Sequence, residues 1–128
     1  MKIQNPVVWF EIYVDDINRA KTFYETVFKT ELTQLSDPSD DKMIMYAFPG
    51  ESDSPGRACG SLVKVEGMPA GGNSTIVYFF SEDCSVEQGR IKDAGGEVIR
   101  EKMSIGEYGF ISLAKDTENN IIGIHSME

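Results

Sequence analysis

One histidine, one tryptophan and two cysteines among 128 residues leave little room for several kinds of chemistry. Cys59 and Cys84 stand 25 residues apart, outside any CxxC pair or zinc-like spacing, which argues against a structural zinc site and a disulfide framework. Basic residues are scarce: 12 against 21 acidic, a net charge of -9, and they come singly. A nucleic-acid partner needs a clustered positive footprint to displace counterions from phosphates, so none is expected. No apolar run approaches the roughly 20 residues that span a bilayer. Met1-Lys2-Ile3-Gln4-Asn5-Pro6 has no apolar core of a signal peptide. The expectation is a cytoplasmic chain with free cysteines and no membrane contact.

What is present is ordinary for a globular chain: 41% hydrophobic, 10% aromatic and 26% charged residues. A length of 128 residues predicts one domain, burying roughly 68% of the surface its unfolded form exposes. Residues 7–14 alternate as a strand, with Val8, Phe10, Ile12 and Val14 on one face and Trp9, Glu11 and Tyr13 on the other. The second face carries apolar rings with polar tips, which suits a cavity wall. Asp16 then caps an amphipathic helix carrying Ile17, Ala20, Phe23, Tyr24, Val27 and Phe28. Short strands are predicted at 31–35, 43–48 and 58–65, with polar connections at 37–41 and 49–56.

After a glycine-rich linker at 67–74 the pattern restarts. A strand at 75–80 precedes a helix capped by Asp83 or Ser85, where Ser85-Val86-Glu87-Gln88 fits a capping box. Gly95-Gly96 ends that helix. Strands follow at 97–99, 110–114 and 121–125, the last two joined by the turn Asp116 to Asn120. The order strand–helix–three strands thus occurs twice, offset by 67 residues, with Asp16 matching Asp83 and Tyr13 matching Phe80.

Three segments carry a resemblance: Phe10 through Tyr24, Val77 through Glu97, and Gly109 through Gly123. In this order and spacing the chain resembles the vicinal oxygen chelate superfamily, which includes glyoxalase I, bleomycin-resistance proteins and extradiol dioxygenases. The resemblance implies an α+β fold of two βαβββ modules, each a cup-shaped mixed sheet with its helix on the convex side. It implies a single domain, 1–128, with module one at 1–66, the linker at 67–74 and module two at 75–128. It also implies a homodimer. Thr117 and Asn119 depart from the proline and glycine usual in the closing turn; Asn tolerates positive φ well.

The family's divalent metal takes one ligand from each of the first, fourth, fifth and eighth strands. Those positions fall here on Trp9, on the stretch Gly60 to Leu62, on Ile76 and on Gly123, none of which offers a ligand. No metal and no other cofactor is therefore expected. The side chains turned into the cup would be Trp9, Glu11 and Tyr13, then Ile76, Tyr78 and Phe80, then Ile121, Gly123 and His125. Whether these aromatics line an open pocket or fill it as core is left open by the sequence.

Glu11 is the candidate general base, with a salt bridge or a bond to Tyr13 as the structural alternative. His125 is a candidate site residue or a surface histidine near the C-terminus, and a Cys59–His125 pair is conceivable. Cys84 is read as a small buried hydrophobe. The segment 104–109 could flank the cup mouth. Two functions follow: a metal-free glyoxalase-like lyase or isomerase on a small carbonyl compound, or a resistance-type protein that sequesters a small molecule without chemistry.

Overall fold

Asp16 and Asp83, equivalent in the repeated pattern, each cap a helix. The computed structural model describes Val7 and residues 9–37, 39, 42–50, 58–73 and 75–128. Asp16 Oδ1 accepts from the Arg19 N–H at 3.0 Å and starts α1, Ile17–Phe28. Asp83 Oδ1 accepts from the Ser85 N–H at 3.0 Å and starts α2, Cys84–Ile91. The cap of α2 is thus Asp83. The Ser85 hydroxyl donates to Asp83 at 2.7 Å, and Gln88 Oε1 accepts from the Lys102 N–H at 2.6 Å, so no capping box forms at Ser85.

Strands β1 (Trp9–Tyr13), β2 (Thr33–Gln34), β3 (Met43–Ala47) and β4 (Cys59–Val65) make one sheet in the order β1-β4-β3-β2. Strands β5 (Val77–Phe80), β6 (Glu97–Ser104), β7 (Phe110–Lys115) and β8 (Ile121–Ser126) make the second, in the order β5-β8-β7-β6. Each sheet is mixed: β1 runs parallel to β4 and β5 to β8, while the other pairs are antiparallel. The two halves therefore carry the same topology. Residues 38, 40 and 41, the loop at 51–57, Val8 and Ser74 lie outside the described residues, and with them part of the predicted first strand, the two connections and the linker.

Two strands differ from expectation. Of 31–35 only Thr33–Gln34 pairs. The strand predicted at 97–99 runs on to Ser104, with register shifts between Val98 and Arg100 and between Arg100 and Met103. Those irregularities interrupt the period-two alternation that marks a strand in sequence.

Ile17, Ala20, Phe23, Tyr24 and Val27 are buried along one stripe of α1, as their three-and-four spacing requires. The helix ends at Lys29 in a left-handed conformation, φ 52°. The halves meet through their helix-bearing sides. Phe79 of β5 lies 4.6 Å from Phe28, 5.4 Å from Phe48, 5.9 Å from Tyr24 and 6.1 Å from Phe10, ring centre to ring centre. Arg90 of α2 donates to the Val27 carbonyl of α1 at 2.8 Å. One apolar cluster thus draws on both sheets and both helices. Full burial of a side chain of Phe or Leu size is worth about 1.5–3 kcal/mol, so this shared cluster is the main tie between the halves.

Candidate functional site

β1 presents Trp9, Glu11 and Tyr13 on the face away from α1, because alternate side chains of a strand point to opposite faces. The three side chains bond to one another. Trp9 Nε1 donates to Glu11 Oε2 at 3.2 Å, and the Tyr13 hydroxyl donates to Glu11 Oε1 at 2.8 Å. Both donors come from rings two residues either side of the carboxylate. The bond to Glu11, together with partial burial and the negative charge of Glu11, raises the Tyr13 hydroxyl above its ordinary pKa of 10.0. The structural alternative for Glu11, a bond to Tyr13, is what the geometry shows.

Glu11 and Tyr13 also line a groove of about 340 Å³. It lies between β1 and the starts of β5 and β8, with the linker residues Met68 to Asn73 along it. Its apolar walls include Phe10, Val77 and Ile121, and among the described residues Glu11 is the only charged side chain that lines it. The polar amides of the groove are spent on the protein itself. Asn73 Nδ2 donates to the carbonyls of Thr75 and Ile121, and Asn73 Oδ1 accepts from the Ile121 N–H. Asn120 Nδ2 donates to the Tyr13 carbonyl, and Asn120 Oδ1 accepts from the Gly71 N–H. These two residues tie the linker to β8 and the closing turn to β1 beside the groove. Sequence reasoning missed them, since Asn73 sits in a stretch that reads as linker and Asn120 in one that reads as turn.

The other predicted site residues sit on the second sheet or at its edge. Ile76 directly precedes β5 and is exposed. Tyr78 pairs in register with Gly123, and its ring lies over that glycine: a Cβ there would come within 2.3 Å of the ring. Phe80 is 82% exposed, so it does not fill a core within this chain. His125 Nε2 lies 2.6 Å from the Tyr108 carbonyl, which can only accept, so this nitrogen carries a proton. That bond ties β8 to the 3₁₀ turn Gly106–Tyr108. Among the described residues, no hydrogen bond or ring contact joins the Trp9–Glu11–Tyr13 group to Tyr78, Phe80 or His125. Cys59 is on β4 and His125 on β8, in separate sheets, and among the described residues no hydrogen bond joins them; the partner shown for His125 is the Tyr108 carbonyl. Cys84 is fully buried at the start of α2.

The donor set does not fit the family's metal. Trp9 is bonded to Glu11, Ile76 is aliphatic, and the Tyr78 ring covers the place where an eighth-strand side chain would project from Gly123. On the fourth strand Ser61 Oγ is buried without a hydrogen-bond partner among the described residues, and one neutral hydroxyl does not hold a divalent ion. Among the described residues no group of three or more His, Cys, Asp or Glu side chains is placed to hold a metal.

A fold of paired βαβββ halves, with this topology in each, is that of the vicinal oxygen chelate superfamily, and known proteins bear the assignment out. The family model described as "Bleomycin resistance protein-like N-terminal" matches residues 7–28, which hold β1 and α1. The anthracycline biosynthesis protein DnrV of Streptomyces peucetius is 30% identical over 118 residues, covering 84% of this chain and 42% of DnrV. DauV of Streptomyces sp. (strain C5), also an anthracycline biosynthesis protein, is 29% identical with the same coverage. The matched region spans less than half the length of these relatives.

Among solved structures, glyoxalase I of Zea mays has a TM-score of 0.72 at 19% identity, over 94% of this chain and 44% of that one. TnmS3, an antibiotic binding protein from Streptomyces sp. CB03234, has a TM-score of 0.67 at 24% identity, over 98% of both chains. These two show the fold. The chain thus has the glyoxalase/bleomycin-resistance-like fold of the vicinal oxygen chelate superfamily, and its first strand and helix match the bleomycin-resistance-protein-like family model. No helix of the described residues is long and apolar enough to cross a membrane.

Proposed function

We propose that this protein binds a small organic molecule at the β1 groove and holds it without chemical change. The observation that carries this reading is the state of Glu11. Both of its oxygens already accept a bond from a ring on the same strand, and it faces an apolar groove of about 340 Å³, within the range usual for ligand sites. A carboxylate held in this way is a fixed acceptor for a ligand. The likeness to DnrV, an anthracycline biosynthesis protein, and TnmS3, an antibiotic binding protein, is in keeping with a ligand of natural-product size.

The metal-free lyase or isomerase reading uses the same groove with Glu11 as base. The position of Tyr78, Phe80 and His125 on the second sheet, with much of Tyr78 and Phe80 exposed, supports a homodimer in which these faces find cover. Trp9 is the only tryptophan of the chain, so its emission reports directly on Glu11. The test titrates the purified protein with a panel of planar aromatic compounds, reading Trp9 emission and heat, and then recovers each bound compound for mass analysis. Binding with the compound recovered unchanged is the expected result. Conversion of any bound compound, abolished by Glu11→Gln, would replace sequestration by the enzyme reading.

A further inference from the structure

The chemistry of the groove points to one class of ligand: we infer that it selects an organic cation, an amine or amidinium carried on a flat apolar body. This inference rests on the binding role proposed above and adds the charge of the ligand. Among the described residues Glu11 is the only charged side chain lining the groove. Its neighbours Asn73 and Asn120 have their amide donors and their carbonyl oxygens engaged by backbone groups, so they leave little for a polar ligand. The remaining acceptor capacity of the Glu11 oxygens is the strongest unfilled bonding potential in the groove, since each oxygen has two lone pairs and receives one ring donor.

An anionic ligand would bring like charge to that carboxylate and find no cation among the described lining residues to offset it. A cation gains a charge-assisted hydrogen bond there. It also finds the ring of Tyr13 beside Glu11 in the groove, and such faces attract positive charge. Phe10, Val77 and Ile121 offer apolar wall for the body of the ligand. The chain's net charge of -9 acts in the same direction at long range.

The experiment compares two planar tricyclic probes of opposite charge, proflavine (a cation) and anthracene-9-carboxylate (an anion), by calorimetry and by quenching of Trp9 emission. Proflavine should bind at least about tenfold more tightly than the anion, the worth of one charge-assisted bond. Glu11→Gln should weaken proflavine by about the same factor and leave the anion unaffected or improved. Added salt should weaken proflavine binding to the unmodified protein, which reads the charge term without any variant. Equal affinity for both probes, or a proflavine affinity unmoved by both Glu11→Gln and salt, would overturn the cation preference while leaving the binding role standing. Failure of both probes and of the wider planar panel to bind would overturn the binding role and the preference together.

Discussion

Glu118, on the turn between β7 and β8, is buried and receives the guanidinium of Arg19, 99 residues earlier in the chain, at 2.7 and 3.0 Å. The same carboxylate accepts the N–H groups of Asp15 and Asp16 at 3.0 and 2.8 Å, so the closing turn of the second half seals the start of α1 in the first. Beside it Tyr24 of α1 donates to Asp116 at 2.6 Å. Removing Glu118 strands two backbone donors and a guanidinium. Glu118→Ala should lower stability by about 3 kcal/mol. Arg19→Ala, whose side chain is 53% exposed, should cost less, since water can replace it. Urea denaturation of both variants checks the order.

Acid should loosen this contact in a defined direction. Burial alone would raise the Glu118 carboxyl, but Arg19, the Asp15 and Asp16 N–H groups and the Thr117 hydroxyl together hold it below its ordinary value of 4.5. Its contribution to stability is therefore present above pH 4.5 and lost as pH falls through the lower folded value. Asp83, held down to about 2 by Lys102 and Ser85, behaves likewise below 3.8. Asp116 has the opposite sign: burial outweighs its hydrogen bonds and raises it. Its contribution is fully present below 3.8 and lost as pH rises through the raised value. Urea midpoints measured from neutral pH down to pH 3 should fall for the native protein and fall less steeply for Glu118→Gln.

Gly60 and Gly123 face rings at almost the same distance and should nevertheless differ on substitution. A Cβ at Gly60 would lie 2.4 Å from the Phe10 ring, and one at Gly123 would lie 2.3 Å from the Tyr78 ring. Phe10 is half-buried and held by ring contacts with Phe48 and Phe79, which a shift would disturb. Tyr78 is 46% exposed and can swing outward. Gly60→Ala should cost about 1–3 kcal/mol, the usual range for overpacking. Gly123→Ala should cost less and displace Tyr78. Thermal melts separate the two, and the displacement shows in a crystal structure of the second.

Lys29 closes α1 with φ 52°, a left-handed conformation in which a side chain is strained and glycine is not. Lys29→Gly should raise stability by about 1 kcal/mol, visible as a higher urea midpoint.

Asn119 in the closing turn has φ 67°, the conformation that the family's usual glycine would supply there. The departure from the family pattern is thus accommodated by a residue that tolerates positive φ. Asp83 and Asp16 were legible for a related reason: a helix cap is a local bond between a side chain and an N–H two or three residues away. The amphipathic stripe of α1 and the alternation of Trp9, Glu11 and Tyr13 were legible because they are periodicities of the chain itself. The irregular stretch from Val98 to Met103 was not, because register shifts erase the period on which a strand is read.

Local order along the chain, then, determined the two-fold repetition, the caps, the strand faces and the want of ligands at the family's metal positions. These depend on spacings of a few residues and on which atoms a side chain carries. The tertiary structure alone decided which faces meet. It brought Phe79 among the rings of the first half, sealed α1 with Glu118, and used Asn73 and Asn120 to frame a groove at β1. It also placed Trp9 and Tyr13 as donors to Glu11. Contacts between groups up to 107 residues apart depend on how two packed halves are oriented, and a one-dimensional pattern carries no record of that orientation.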